Sequence, residues 1–188
     1  VLEEKVLLKS KEKEYIAMIK GVDEQYKELS NFDSLLVQGN YIDNYERDNV
    51  AIIGRGVAYH LSQGVGNIFN QLQVFIPNRS RTTLLNPSTA FKQSSVIPVG
   101  VFGIQAEIDD QYIITPLSFV QTLLEKPRAI SAVEVRLLND DLMLSAQEEL
   151  QELLGKKYKV QNRLQQQQFL YKILNTEKLA VFLILAFI

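Results

Sequence analysis

Apolar and polar residues alternate from the start of the chain. Lys5-Val-Leu-Leu-Lys9 and Glu14-Tyr-Ile-Ala-Met-Ile-Lys20 are β-rich runs joined by a polar turn at 10–13, which predicts a β-ribbon over 4–20. Gly21 to Tyr26 ends it, with Asp23 placed to cap a short helical turn. Residues 35–48 are polar, contain Gly and Asn, and read as a surface connection with short extended pieces. Asn49-Val-Ala-Ile-Ile53 is a buried strand, followed by a short helix over 54–61 closed by Gly64 and Gly66. Strand character returns over 69–76 and 96–102. Between these lies 77–95, which has no sustained period, two prolines and mixed Ser, Thr and Asn. Loops beyond about 12–15 residues are uncommon and usually functional or disordered.

Further on, Tyr112-Ile-Ile-Thr115 reads as a strand and 116–125 as a helix, with Pro116 acceptable in its first turn. Residues 129–138 alternate as a half-buried strand. Leu142, Ala146, Leu150 and Leu153 or Leu154 form a helical stripe ended by Gly155, and 157–161 is a strand. Strand pairs followed by strand, helix, strand describe an α+β domain.

The chain ends in Leu179-Ala-Val-Phe-Leu-Ile-Leu-Ala-Phe-Ile188, ten residues with no charge, Pro or Gly. A spanning helix needs about 20 apolar residues. A helix that is apolar all round belongs in a large core or a membrane. The run is therefore read as the start of a transmembrane helix, with a buried strand or helix as the alternative. Val1-Leu-Glu-Glu-Lys-Val-Leu-Leu8 carries charge where the apolar core of a signal peptide would sit.

Composition narrows the function. With 188 residues, Lys+Arg 20 and Asp+Glu 22, the chain buries a real core, and its charge points to no nucleic-acid partner. Cys is absent, which excludes disulfides and thiolate metal sites. No Asp or Glu occurs from Asn49 to Ala106, where Arg55, Arg79, Arg81 and Lys92 lie, so a local basic surface is expected. Gly54-Arg-Gly56 opens like a dinucleotide fingerprint, but Tyr59 is too bulky for the third small position, so the glycines are assigned to a tight turn. His60 is the only histidine and has no acid or Cys in its segment, which favours an ordinary surface or packed role. Asp109-Asp110 and Asn139-Asp140-Asp141 suit turns and N-caps better than metal or acid–base work. No catalytic constellation, cofactor motif or metal site emerges, and an enzyme is not expected.

Several pieces in order carry a resemblance: Ile19-Lys-Gly-Val-Asp23, Gln38-Gly39, Val50-Ala-Ile-Ile-Gly54 with Ala58 and Leu61, and Gly66-Asn67 before the 72–77 strand. Val99-Gly-Val-Phe102, Tyr112, Ser131-Ala-Val-Glu-Val135 and Thr176-Glu-Lys178 continue it. Over essentially its whole length the chain resembles the periplasmic domain of ABC-transporter permeases of the MacB/FtsX type, closest to those of the lipoprotein-releasing system (LolC/LolE-like). The resemblance implies a Porter-like α+β subdomain from 1–36 with 126–164, and a β-rich Sabre-like subdomain over 37–125. It places a carrier-capturing "hook" at 77–95, and a connector and truncated membrane helix over 165–188. The Porter of this family opens with a further strand and helix that nothing upstream of Val1 supplies, so an N-terminally incomplete Porter is implied. The family's Gly-Asp pair appears here as Gly66-Asn67.

On that resemblance Arg79, Arg81, Leu84, Leu85, Pro87 and Phe91 are the expected contacts of the hook. Arg163, Tyr171, Glu177 and Lys178 are the expected mechanical connector. The implied partners are an ABC ATPase subunit that hydrolyses ATP, a second permease subunit, a periplasmic lipoprotein carrier and the inner membrane, with this domain in the periplasm. The rival readings are a MacB-like efflux pump, a mechanotransmitting permease that activates a cell-wall hydrolase, and a soluble α+β binding module.

Overall fold

The hairpin expected at the start of the chain forms. In a computed structural model, which describes residues 1–42, 49–66, 71–78, 90–163 and 165–166, β1 (Leu2–Ser10) and β2 (Lys13–Val22) pair antiparallel from Leu2↔Gly21 to Ser10↔Lys13. Only Lys11 and Glu12 remain to turn the chain, and Lys11 takes a left-handed φ of 53°. An L-residue with a Cβ is crowded against the next carbonyl there, at roughly 1–2 kcal/mol. Lys11→Gly is therefore expected to stabilise the chain by about 1 kcal/mol, once the extra backbone freedom of glycine in the unfolded state is subtracted. The check is a higher urea midpoint at unchanged m.

After β2 come α1 (Tyr26–Ser30), a 3-10 turn (Phe32–Leu35) and β3 (Leu36–Gly39). Asp23 does not cap α1. Gln25 holds the N-cap position without a side-chain bond, and Asp23 contributes only its carbonyl, accepting from Tyr26 N at 3.2 Å. Next are β4 (Val50–Gly54), α2 (Arg55–Leu61), β5 (Leu72–Pro77) and β6 (Phe91–Phe102). They are followed by α3 (Ala106–Asp109), β7 (Tyr112–Pro116) and α4 (Leu117–Leu124). α2 is closed by Ser62, at φ 49°, rather than by Gly64 and Gly66.

The strands form one mixed sheet in the order β3-β6-β4-β7-β2-β1-β5, and β5 also pairs with β6. Six strands thus make a closed circuit of pairings, and β3 lies outside it. β6 is long enough to serve three partners. Its first half pairs antiparallel with β5, from Pro77↔Phe91 to Leu72↔Val96. Its second half pairs parallel with β4 and antiparallel with β3. The register with β4 slips between Ala51↔Pro98 and Ile52↔Gly100. A bulge is where a proline, lacking an N–H, is tolerated inside a sheet.

All five residues of β4 are buried because both faces are covered. Successive side chains point to opposite faces. Ala51 and Ile53 join Leu8, Ile19, Val57, Leu61, Ile113 and Val120 in one core. Val50 and Ile52 join Phe32, Tyr41, Ile42 and Phe102 in another.

Two compact units are present, Val1–Glu134 and Val135–Ile188. The first holds the whole sheet, so β1 and β2 share it with the strands of the middle of the chain. Residues 129–138 are not a strand. A ladder needs a second backbone, and the backbone bonds given between this segment and the sheet-forming hairpin are confined to Val1, with Ser131 N and Ala132 N donating to Val1 O and Val1 N donating to Ala132 O. Val133 is left 74 % exposed.

In the second unit, Asn139 Oδ1 accepts from Asp141 N at 3.0 Å ahead of a 3-10 turn (Asp140–Leu142) and α5 (Met143–Leu154). The helix ends at Gly155, with φ 64°, as the stripe predicts, but none of its residues is buried. Residues 157–161 do not form the expected strand. Glutamine amides of α5 take up their backbone groups: Gln151 donates to Tyr158 O and accepts from Val160 N, both at 3.0 Å, and Gln147 donates to Val160 O.

Candidate functional site

The long excursion between two strands is the crossing of a hairpin. β5 and β6 pair as far as Pro77↔Phe91, and Asn78 N donates to Ala90 O at 2.8 Å. Pro77 and residues 91–95 therefore belong to strands, which narrows the excursion to 79–89. Arg79, Arg81, Leu84, Leu85 and Pro87 lie outside the described residues. Phe91, the first residue of β6 and the partner of Pro77, is 54 % exposed. Beside it, Lys92 Nζ reaches Glu125 Oε2 at 2.7 Å, on the left-handed residue that caps α4.

The basic surface expected over 49–106 is neutralised among its described members. Lys92 has Glu125, and Arg55 has Asp109 at 3.4 Å. Their acids come from the segment after Ala106, which sequence distance concealed.

Asp109 is not a turn residue of the ordinary kind. Its side chain is only 2 % exposed, and its Oδ1 accepts from Ile104 N at 2.7 Å while Oδ2 faces Arg55. Gly54 and Gly56 serve this packing rather than a tight turn, since Gly54 has extended φ −64° and ψ 147°. A Cβ on Gly54 would lie 2.1 Å from Asp109 O, and one on Gly56 1.7 Å from Asp110 Oδ1. The Gly-Arg-Gly run lets α3 close on the start of α2.

Lys20 on β2 is 14 % exposed in its side chain and sits among acids and a ring. Its Nζ lies 2.5 Å from Glu134 Oε1, 3.6 Å from Glu3 Oε1 and 5.0 Å from the centre of the Tyr26 ring. Burial alone would lower the pKa of this ammonium, but Tyr26, Glu134 and Glu3 together raise it above its ordinary value. Burial raises the Tyr26 hydroxyl too, so the ring stays neutral. A raised folded-state pKa gives a contribution that is complete below the ordinary lysine value and is lost as pH rises through the folded one. Nothing in the sequence singles out Lys20, because its acids are 17 residues before and 114 residues after it.

His60 is exposed and stacked on Tyr15, with ring centres 4.6 Å apart. It borders a shallow cleft of about 610 Å³ lined by Lys13, Ala58, Tyr59, Ser62, Gln63 and Gly64. Lys13 Nζ donates to Ser62 Oγ at 2.6 Å, and the lining has no carboxylate to orient a base. Among the described residues no group of His, Asp or Glu could hold a metal ion.

Of the expected connector, Arg163 is described and pairs with Asp140 at 3.3 Å, both side chains well exposed. Exposed pairs of this kind contribute about 0–1 kcal/mol. Tyr171, Glu177 and Lys178 lie outside the described residues, as does the apolar run 179–188. Among the described residues no helix is long and apolar enough to cross a membrane.

The fold is found in solved structures. The extracellular domain of the noncanonic ABC-type transporter YknZ from Gram-positive bacteria superposes with a TM-score of 0.56 at 14% identity, covering 86% of this chain and 78% of that one. The periplasmic region of MacB from Actinobacillus actinomycetemcomitans gives a TM-score of 0.49 at 17% identity, covering 83% of this chain and 66% of that one. No family model matches the sequence, and no curated protein sequence does. The chain shares the α+β fold of the YknZ extracellular domain. The resemblance to MacB/FtsX-type permeases expected from the sequence is met at the level of the fold.

Proposed function

We propose that this chain is the extracytoplasmic domain of an ABC-transporter permease that releases lipidated cargo from the inner membrane and hands it to a soluble carrier. The observation that carries the reading is the hairpin β5–β6, whose pairing runs to Pro77↔Phe91 with Asn78 N bonded to Ala90 O, at the two ends of the segment 79–89. The fold shared with the YknZ extracellular domain supports the transporter setting. In this reading 77–95 is the hook. Leu84, Leu85, Pro87 and Phe91 anchor in apolar pockets of the carrier, and Arg79 and Arg81 orient it, since buried apolar anchors supply affinity and charges supply register. The Porter-like part comprises 1–36 with 126–164, and the Sabre-like part 37–125. Arg163, Tyr171, Glu177 and Lys178 carry movement from a membrane helix beginning near Leu179. ATP is hydrolysed by a separate subunit, and a second permease subunit completes the transporter.

The test is capture of a periplasmic lipoprotein carrier by the chain with 179–188 removed. Intact chain is expected to retain the carrier, and a variant with 79–89 replaced by a short Gly-Ser turn to lose it at unchanged thermal stability. Equal retention by both removes the hook. No retention by the intact chain, with retention of an adaptor protein or a cell-wall hydrolase instead, moves the reading to an efflux pump or a mechanotransmitting permease.

A further inference from the structure

Residues 129–134 form a strap held to α4 and to the start of the sheet at several separate points. Gln121 Nε2 donates to Ala129 O at 3.0 Å. Val1 and Ala132 exchange backbone bonds, and Glu3 N donates to Ser131 Oγ at 3.0 Å. Last comes the Lys20–Glu134 pair at 2.5 Å, on the final residue of the first compact unit. The strap is otherwise thinly held, with Ile130 54 % and Val133 74 % exposed.

We propose that Lys20 is a two-position latch, which fastens the end of the strap through Glu134 and can release it to Glu3. The chemistry lies in the second acid. A buried ammonium that loses its only carboxylate is strongly destabilising, because an uncompensated charge is left out of water. Lys20 does not face that outcome. Glu3, on the neighbouring strand β1 and opposite Lys20 in the register, already stands 3.6 Å away, and the Tyr26 ring faces the same ammonium at 5.0 Å. When Glu134 departs, Lys20 needs a shift of about 1 Å or less to close on Glu3 as an ordinary ion pair. Glu134, with its side chain 44 % exposed, is rehydrated as it leaves. Neither charge is stranded, so the strap end can detach while the sheet beneath stays intact. The backbone exchange between Val1 and Ala132 is untouched, so release frees the strap from Val133 onward and no further.

The test is a mutant cycle on the full chain with two readouts. Glu134→Gln is expected to lower Tm by no more than about 4 °C, the range set by a partly exposed pair in a chain of this size. It is also expected to drop the 15N order parameters of the Val133 and Glu134 positions from the rigid range near 0.85 to below about 0.6. Ser131 and Ala132 should stay rigid. Glu3→Gln should leave the strap ordered, because Glu134 then holds Lys20 alone. The double variant Glu3→Gln/Glu134→Gln should lose more Tm than the two single losses added together, since only it leaves Lys20 without a carboxylate. Additive losses, or unchanged order parameters at 133–134 in Glu134→Gln, would overturn the latch. So would a Glu134→Gln loss as large as that of the double variant.

Discussion

Gly54→Val is expected to unfold most of the chain at 25 °C, and Gly54→Ala to destabilise it by about 3 kcal/mol or more, at the upper end of overpacking costs. The Cβ of any other residue would lie 2.1 Å from Asp109 O and 2.8 Å from Asp109 C. Those are backbone atoms of α3, and no rotamer change can move them aside. The two elements cannot easily separate either. Asp109 is fixed through Ile104 N, and Gly54 is the last residue of the central strand β4, paired with Phe102 of β6. Equilibrium urea unfolding supplies the measurement, and Gly64→Ala supplies the control. A Cβ on Gly64 meets nothing within 4 Å, so that variant should be neutral or slightly stabilising. Equal midpoints for the two alanine variants would show that α3 does not close on β4 in solution.

Phe32→Ala carries the second large effect, a loss of about 3–5 kcal/mol. Phe32 is 1 % exposed and lies in the 3-10 turn rather than in the sheet. It meets Tyr41 and Phe102 edge-on, with ring centres 5.4 and 5.5 Å apart, and Tyr26 at 6.1 Å. Edge-to-face pairs add about 0.5–1.5 kcal/mol beyond area burial. Removing this one ring strips the second core of the contact that joins the α1 region to β6. Thermal and urea unfolding should both register it. Tyr59→Ala, at a side chain 81 % exposed, should change stability by less than about 0.5 kcal/mol. A Phe32→Ala loss below 1 kcal/mol would mean that the second core is dispensable.

How much of this was legible in the residues depends on how local each cause is. The β1–β2 hairpin is written in its own alternation and short polar turn, and β4 in an uninterrupted apolar run that needs cover on both faces. The helix α4 follows from Pro116 and the apolar spacing after it. By contrast, Phe91-Lys-Gln-Ser-Ser95 looks like loop because its side chains are mostly polar and half exposed; only pairing with β5, some twenty residues earlier, makes it strand. The opposite error occurs at 129–138, where β-prone alternation is present but the partner backbone is limited to the first residues of β1. Residues 157–161 fail for a related reason, since glutamine side chains of α5 satisfy the backbone before a strand can.

The candidate site divides in the same way. Its loop shows in the sequence as an aperiodic, proline-containing stretch, which the polar half of β6 makes look longer than it is. The Lys20 cluster and the Asp109 contact were invisible, because each joins charges far apart in sequence. The Gly-Arg-Gly run is conspicuous in the sequence as a candidate tight turn. Its glycines mark a close approach of two backbones, which no local turn rule anticipates.

The strand β6 also decides how the sheet would bear a pull. A tug on Pro77 and Phe91 along the strand direction runs parallel to β5 and β6, each of which is also paired with another strand, β1 for the one and β4 for the other. Loaded this way the interstrand bonds strain together, in shear, instead of parting one by one as in a peeled zipper. A load entering at Pro77 and Phe91 is therefore shared by the closed sheet as a body.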